Sequence, residues 1–168
     1  MSDFSAGSAL EPKVQFEYGW TEEDKIGIYT APSIAYDEGT LLKMSSDGVT
    51  LEVCGSNDAK FILEQPIAQY GPIGSSTNRE KYVNGIPQKA VAFADKVTVM
   101  PKKKGATIKT SVIASGSETG AITSGTVTPG TTEVESYNGE WRIKQGTSPE
   151  GLLLCDPDAD GFVRILLY

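Results

Sequence analysis

The sequence predicts an all-β fold, a compact barrel or sandwich-like domain carrying an extended N-terminal arm. Three observations predict it. Val and Ile outnumber Leu, and both suit a pleated, half-buried surface. Eighteen Gly and nine Pro punctuate the chain, and turn signals recur roughly every 8 to 12 residues, the spacing of sandwiches and barrels. Long runs of Ala, Leu, Glu and Lys, from which helices are built, are missing.

Residues 1–33 read as the arm. They are polar and interrupted by Gly7, Pro12 and Pro32, yet they carry Phe4, Phe16, Tyr18, Trp20 and Tyr29. Five aromatics are too many for a solvated tail, so the arm either packs on its own domain or orders on a partner. Thr21-Glu22-Glu23-Asp24 predicts a single helical turn with Thr21 as N-cap.

Residues 34–168 read as the β domain. Gly39–Met44 and Val49–Cys54 are partner strands around the turn Ser45-Ser46-Asp47-Gly48, whose Asp-Gly is a strong hairpin signal. Phe61–Glu64 follows, and Pro66 ends it. Residues 69–88 are loop-rich, a length that in a compact domain marks a functional or interface segment. Strands are expected at Lys89–Ala94, Val97–Met100 and Thr107–Ala114, with Lys102-Lys103-Lys104 as a solvated hairpin tip between the last two. Residues 116–130 form a Gly/Ser/Thr-rich surface loop with strand pieces at Ala121-Ile122 and Thr126-Val127-Thr128. Thr132–Tyr137 and Glu140–Lys144 flank Asn138-Gly139, with Trp141 and Ile143 on one face. Leu152–Cys155 and Phe162–Tyr168 flank an acidic turn, and the last strand locks the terminus into the sheet. The total is about nine to eleven short strands.

Composition excludes much chemistry. A chain of 168 residues can bury a core without staples. It has no His, so Ser-His-Asp and Cys-His catalysis cannot run on this chain alone. Two Cys cannot make a four-ligand zinc site. Fifteen basic against 22 acidic residues give a net charge of −7, the wrong sign for a nucleic-acid binder and a match for a basic protein surface. No apolar stretch approaches membrane-spanning length. The start MSDFSAGSALEPK lacks the features of a signal peptide, so synthesis in a cytoplasm is expected, with Cys54 and Cys155 reduced and mostly buried.

Motifs are few. Asp156-Pro157-Asp158-Ala159-Asp160-Gly161 matches the first half of a calcium loop, but the place of the closing Glu is Leu167 and the flanks are strands. A tight acidic turn is the favoured reading over a cation held by Asp156, Asp158 and Asp160. No metal, cofactor or catalytic residue is assigned. No carboxylate pair stands out for glycoside hydrolysis. Trp20 and Trp141, with the 69–88 loop, could form a sugar platform, although a buried Trp is the commoner use of such a strand position.

Two stretches carry a resemblance. One is Tyr36–Gly48 followed by Val49–Val53 and Phe61-Ile62-Leu63. The other is Gly151–Cys155, the acidic Gly turn and Phe162–Leu167. In this order behind a polar arm, they resemble the head-decoration (capsid cement) proteins of tailed phages and related viruses. The resemblance implies a β-tulip-like domain that forms a homotrimer on the capsid surface of a virion assembled in the host cytoplasm. Its arm would order against the major capsid protein, through Phe4, Phe16, Tyr18, Trp20 and Tyr29, and add a strand to that protein's sheet. The expected function is a virion structural protein that stabilises the head, with no enzymatic activity, nucleic acid or membrane involved. The alternative is a carbohydrate- or receptor-binding β module of a viral tail or spike.

Overall fold

The computed structural model describes residues 13–67, 80–83, 86–89, 91, 93–146 and 148–168. In chain order the strands are β1 (Val14–Phe16), β2 (Leu41–Met44), β3 (Leu51–Val53), β4 (Phe61–Leu63), β5 (Glu80–Val83) and β6 (Ile86–Lys89). They continue as β7 (Val99–Pro101), β8 (Thr107–Thr110), β9 (Glu133–Tyr137), β10 (Glu140–Ile143), β11 (Gly151–Leu153) and β12 (Val163–Leu167). A six-stranded antiparallel sheet runs β1-β8-β12-β11-β9-β10, and a four-stranded one runs β3-β2-β4-β7. A separate hairpin joins β5 to β6. The chain is therefore all-β, with two sheets packed in a sandwich-like body.

Side-chain alternation builds the larger sheet. β12 turns Val163, Ile165 and Leu167 into the core and leaves Arg164 outside, where its guanidinium meets Glu17 at 3.1 Å. The smaller sheet breaks the alternation. Leu41 and Leu42 are both fully buried, as are Ile62 and Leu63. Leu41 and Ile62 enter a core with Ile108, Val134, Trp141, Leu153 and Ile165. Leu42 and Leu63 enter a second core with Leu51, Ile67, Val97 and Val99. β2 and β4 thus lie between two cores, and strands buried on both faces carry unbroken apolar runs.

Both sheets are sealed at edges by chain that is not itself a named strand. Ile26 exchanges two backbone hydrogen bonds of 2.9 Å with Val99. Four residues on, Thr30 donates to the Val49 carbonyl at 3.0 Å and accepts from the Leu51 N–H at 2.9 Å. Residues 26–31 therefore pair with both edges of the small sheet and close it into a roll around the second core. Residues 112–114, continuing β8, cover β10: the Trp141 N–H donates to Val112 at 3.1 Å and the Ala114 N–H to Trp141 at 2.8 Å.

Residues 13–33 take the first of the two alternatives open to the arm and pack on their own domain. β1 pairs with β8 in the register Val14↔Thr110. Phe16 and Trp20 meet edge to face at 5.0 Å, and the Trp20 indole N–H donates to the Thr107 carbonyl at 2.8 Å. The expected turn is a 3-10 turn, Glu22–Asp24, whose Asp24 carboxylate accepts from the Thr21 N–H at 2.7 Å. Phe4 lies outside the described residues.

Three local expectations need correction. Lys102-Lys103-Lys104 is not a hairpin tip, because β7 and β8 belong to different sheets. Lys102 pairs with Glu150, and Lys103 meets Asp24 at 3.0 Å, so these ammonium groups tie separate segments together. Residues 121–128 hold turns instead of strands. The Thr126 hydroxyl accepts from the Thr123 N–H at 2.9 Å while Ile122 and Val127 plug the first core. Within 69–88, read as loop, Glu80–Val83 and Ile86–Lys89 pair as strands, and the remainder lies outside the described residues. In the sequence, Asn84-Gly85 between them is a hairpin signal.

Candidate functional site

The β9–β10 hairpin turns at Asn138-Gly139, both at positive φ (49° and 89°), as a type I′ connection requires. Gly139 is also forced by contact, since a Cβ there would lie 2.6 Å from Val53. Its N–H donates to the Cys54 sulfur at 3.3 Å. Burial pushes that thiol up, although the Gly139 N–H pulls the other way. Cys54 and Cys155 are both free thiols, the first buried and the second half-buried.

Glu140 is the first residue after the turn, opposite Tyr137. Its strand, residues 35–40 and residues 111–113 enclose a cleft of about 340 Å³. The wall is brought close by Gly39 (φ 89°), where a Cβ would meet Val112 at 2.8 Å. Tyr36, Val112 and Ile113 supply apolar surface, and Lys13, Asp37, Thr40, Ser111 and Glu140 supply polar groups. The Thr40 hydroxyl donates to the Asp37 carbonyl at 2.7 Å, and Glu38 accepts from the Lys13 N–H at 2.8 Å beside it. The Ser111 hydroxyl oxygen is buried with no hydrogen-bond partner among the described residues.

Glu140 is electrostatically unfavourable in this place. Burial, then the charge and hydrogen bond of neighbouring Glu118, push its carboxyl up to about 6. Glu118 is held by the 115–118 turn, where its carboxylate accepts from the Ser115 N–H at 2.6 Å. The cleft has one apolar wall, several polar side chains and more acidic than basic groups.

The aromatics expected at a capsid contact are distributed differently. Phe16 and Trp20 pack on the first core, and Tyr29 packs on the second with its ring 5.4 Å from Phe61. Tyr18 is 78% exposed. Trp141 is fully buried and presents no face to a sugar, which removes it from the alternative platform. In the acidic turn, Asp158 accepts from the N–H groups of Asp160 and Phe162 at 3.0 and 2.9 Å and faces Lys109 at 3.6 Å. These donors, the Phe162 N–H first, hold it below the usual carboxylate range. Its carboxylate closes the turn, and no group of three or more His, Cys, Asp or Glu side chains among the described residues could hold a metal ion. Among the same residues, no helix is long and apolar enough to cross a membrane.

Sequence reasoning missed Glu140. The cleft joins residues near 36, 112 and 140, and no spacing along the chain connects them. The one local signal was a carboxylate placed directly after a tight Asn-Gly turn and beside a Trp that must be buried. Comparison of the chain with family models, with curated proteins and with solved structures finds no match.

Proposed function

We propose that the chain is a virion structural protein that binds the outer surface of a capsid as a decoration or cement protein and stabilises the head. One observation carries the reading. The two stretches that resemble this family each fold as an antiparallel pair, β2 with β3 (Leu42↔Val53) and β11 with β12 (Leu152↔Leu166), one in each sheet. Acidity without a basic groove supports a protein surface as partner, here the major capsid protein. The aromatic contact narrows to Tyr18 and residues 1–12, because Phe16, Trp20 and Tyr29 already pack in the domain. Trimerisation on the shell belongs to the same proposal. The carbohydrate-binding alternative loses its strand Trp and is not retained.

Co-sedimentation with assembled shells of the cognate major capsid protein tests this reading. The full chain should pellet with shells. Deleting residues 2–12 should abolish pelleting and leave the melting curve in place, whereas deletion through residue 31 should unfold the domain by removing β1 and the 26–31 closure. A full chain that stays in the supernatant at all ratios overturns the function. Undiminished pelleting after deletion of residues 2–12 combined with Tyr18→Ala overturns the arm contact.

A further inference from the structure

We propose that the cleft beside Glu140 receives a basic side chain, a guanidinium or ammonium group, from the protein to which this chain binds. The inference rests on the proposed protein-surface partner and names the chemistry that the surface must offer. The cleft is amphipathic in the way a long basic side chain is. Tyr36, Val112 and Ile113 can cover an aliphatic stem, and Asp37 and Glu140 can meet a charged head. Glu140 is only partly exposed, and burial together with the neighbouring carboxylate Glu118 disfavours its charged form. A cation placed here relieves that repulsion, so its binding is favoured by more than the bare contact.

Lys25, Lys43, Lys102, Lys103, Lys144 and Arg164 already lie within salt-bridge distance of carboxylates on their own chain. Glu135, the most buried acid of the hairpin, has Arg142 at 2.7 Å. Glu140 has a like charge where Glu135 has an opposite one. Among the described residues, Lys13 is the one basic residue lining the cleft, and it is exposed. Ser111 adds a buried hydroxyl oxygen that has no partner among the described residues, at the cleft wall.

Amide chemical shifts of the full chain, titrated with acetyl-Gly-Arg-Gly-amide and with its neutral citrulline analogue, test the proposal. The arginine peptide should shift Val112, Ile113 and Glu140 with a dissociation constant on the order of 1 mM, and citrulline should bind at least about tenfold more weakly. A lysine peptide distinguishes a requirement for the planar fork from one for charge alone, and either outcome within the cleft supports the site. Glu140→Gln should weaken arginine binding about fivefold or more, while Lys13→Gln should strengthen it about twofold. Equal binding of arginine and citrulline, shifts confined to other surfaces, or an unchanged affinity in Glu140→Gln overturns the proposal. The two readings fail separately. Shells that bind the chain while arginine leaves the cleft unshifted refute the cleft alone, and cleft binding without shell binding refutes the decoration role alone.

Discussion

Glu135 and Glu140 belong to one hairpin and meet opposite fates. Glu135 is fully buried on β9. Burial by itself would raise its carboxyl, but the Gly146 N–H, the Arg142 guanidinium, the Asn57 amide and the Gln145 N–H outweigh it and hold it below its ordinary value. Arg142 in turn lies 3.6 Å from the centre of the Tyr137 ring. Glu140, on β10, is less buried, and still its carboxyl rises to about 6, by burial first and then by its neighbour Glu118, with no opposing donor among the described residues to offset either. Partners, more than depth, decide whether a buried carboxylate stays charged. A compensated acid is structural, and an uncompensated one is open to a partner that brings the missing charge.

Removing the compensation at Glu135 should have the largest effect. Arg142→Met leaves a fully buried carboxylate without its guanidinium and should cost about 3–5 kcal/mol, read from urea unfolding. A loss below about 1 kcal/mol would mean that Glu135 is not held as a buried charge. Next comes Glu140→Gln, which should stabilise the chain at pH 7. A rise from 4.5 to about 6 corresponds to at most about 2 kcal/mol, reduced to about 1 kcal/mol by solvent screening of a partly exposed group.

The pH dependence has a defined sign for each acid. Glu140 titrates higher in the folded chain than in the unfolded one, so the folded state prefers its protonated form. Stability should fall as pH rises from 4.5 through about 6, and Glu140→Gln should remove that slope. Glu135, whose value is lowered, contributes stability at neutral pH that is lost as acid protonates it below its ordinary value of 4.5. Glu118→Gln should lower the Glu140 titration only part of the way, because burial is the larger cause. Least affected should be Tyr18→Ala. An exposed ring outside both cores should change stability by less than about 0.5 kcal/mol, and a larger loss in thermal melts would place Tyr18 in the packing instead of on a contact surface.

Local chemistry made the β class legible. Val163-Arg164-Ile165 alternates because one face of β12 is covered, and Asn138-Gly139 marks a turn that needs two positive φ values. What the pattern hid was non-local. Leu41-Leu42 gives no period, since β2 has a core on each side. Ile26 and Thr30 close the small sheet through backbone bonds, which carry no side-chain signature, so the sequence pattern sets residues 1–33 apart as an arm whereas its described part is wall. Lys102 and Lys103 resembled a solvated tip because their carboxylates, Glu150 and Asp24, are remote in sequence. Glu140 was one acid among 22 until Glu118 and the 35–40 segment were brought against it.

Titration of the glutamate side-chain carboxyls by NMR, with and without acetyl-Gly-Arg-Gly-amide, bears most directly on this contrast. In the free chain Glu140 should titrate near 6 and Glu135 below 4.5. Saturating arginine peptide should move Glu140 downward, toward its charged form, and leave Glu135 unmoved. A Glu140 that titrates at its ordinary 4.5 in the free chain, or that does not respond to the peptide, would contradict an uncompensated acid waiting for a basic partner.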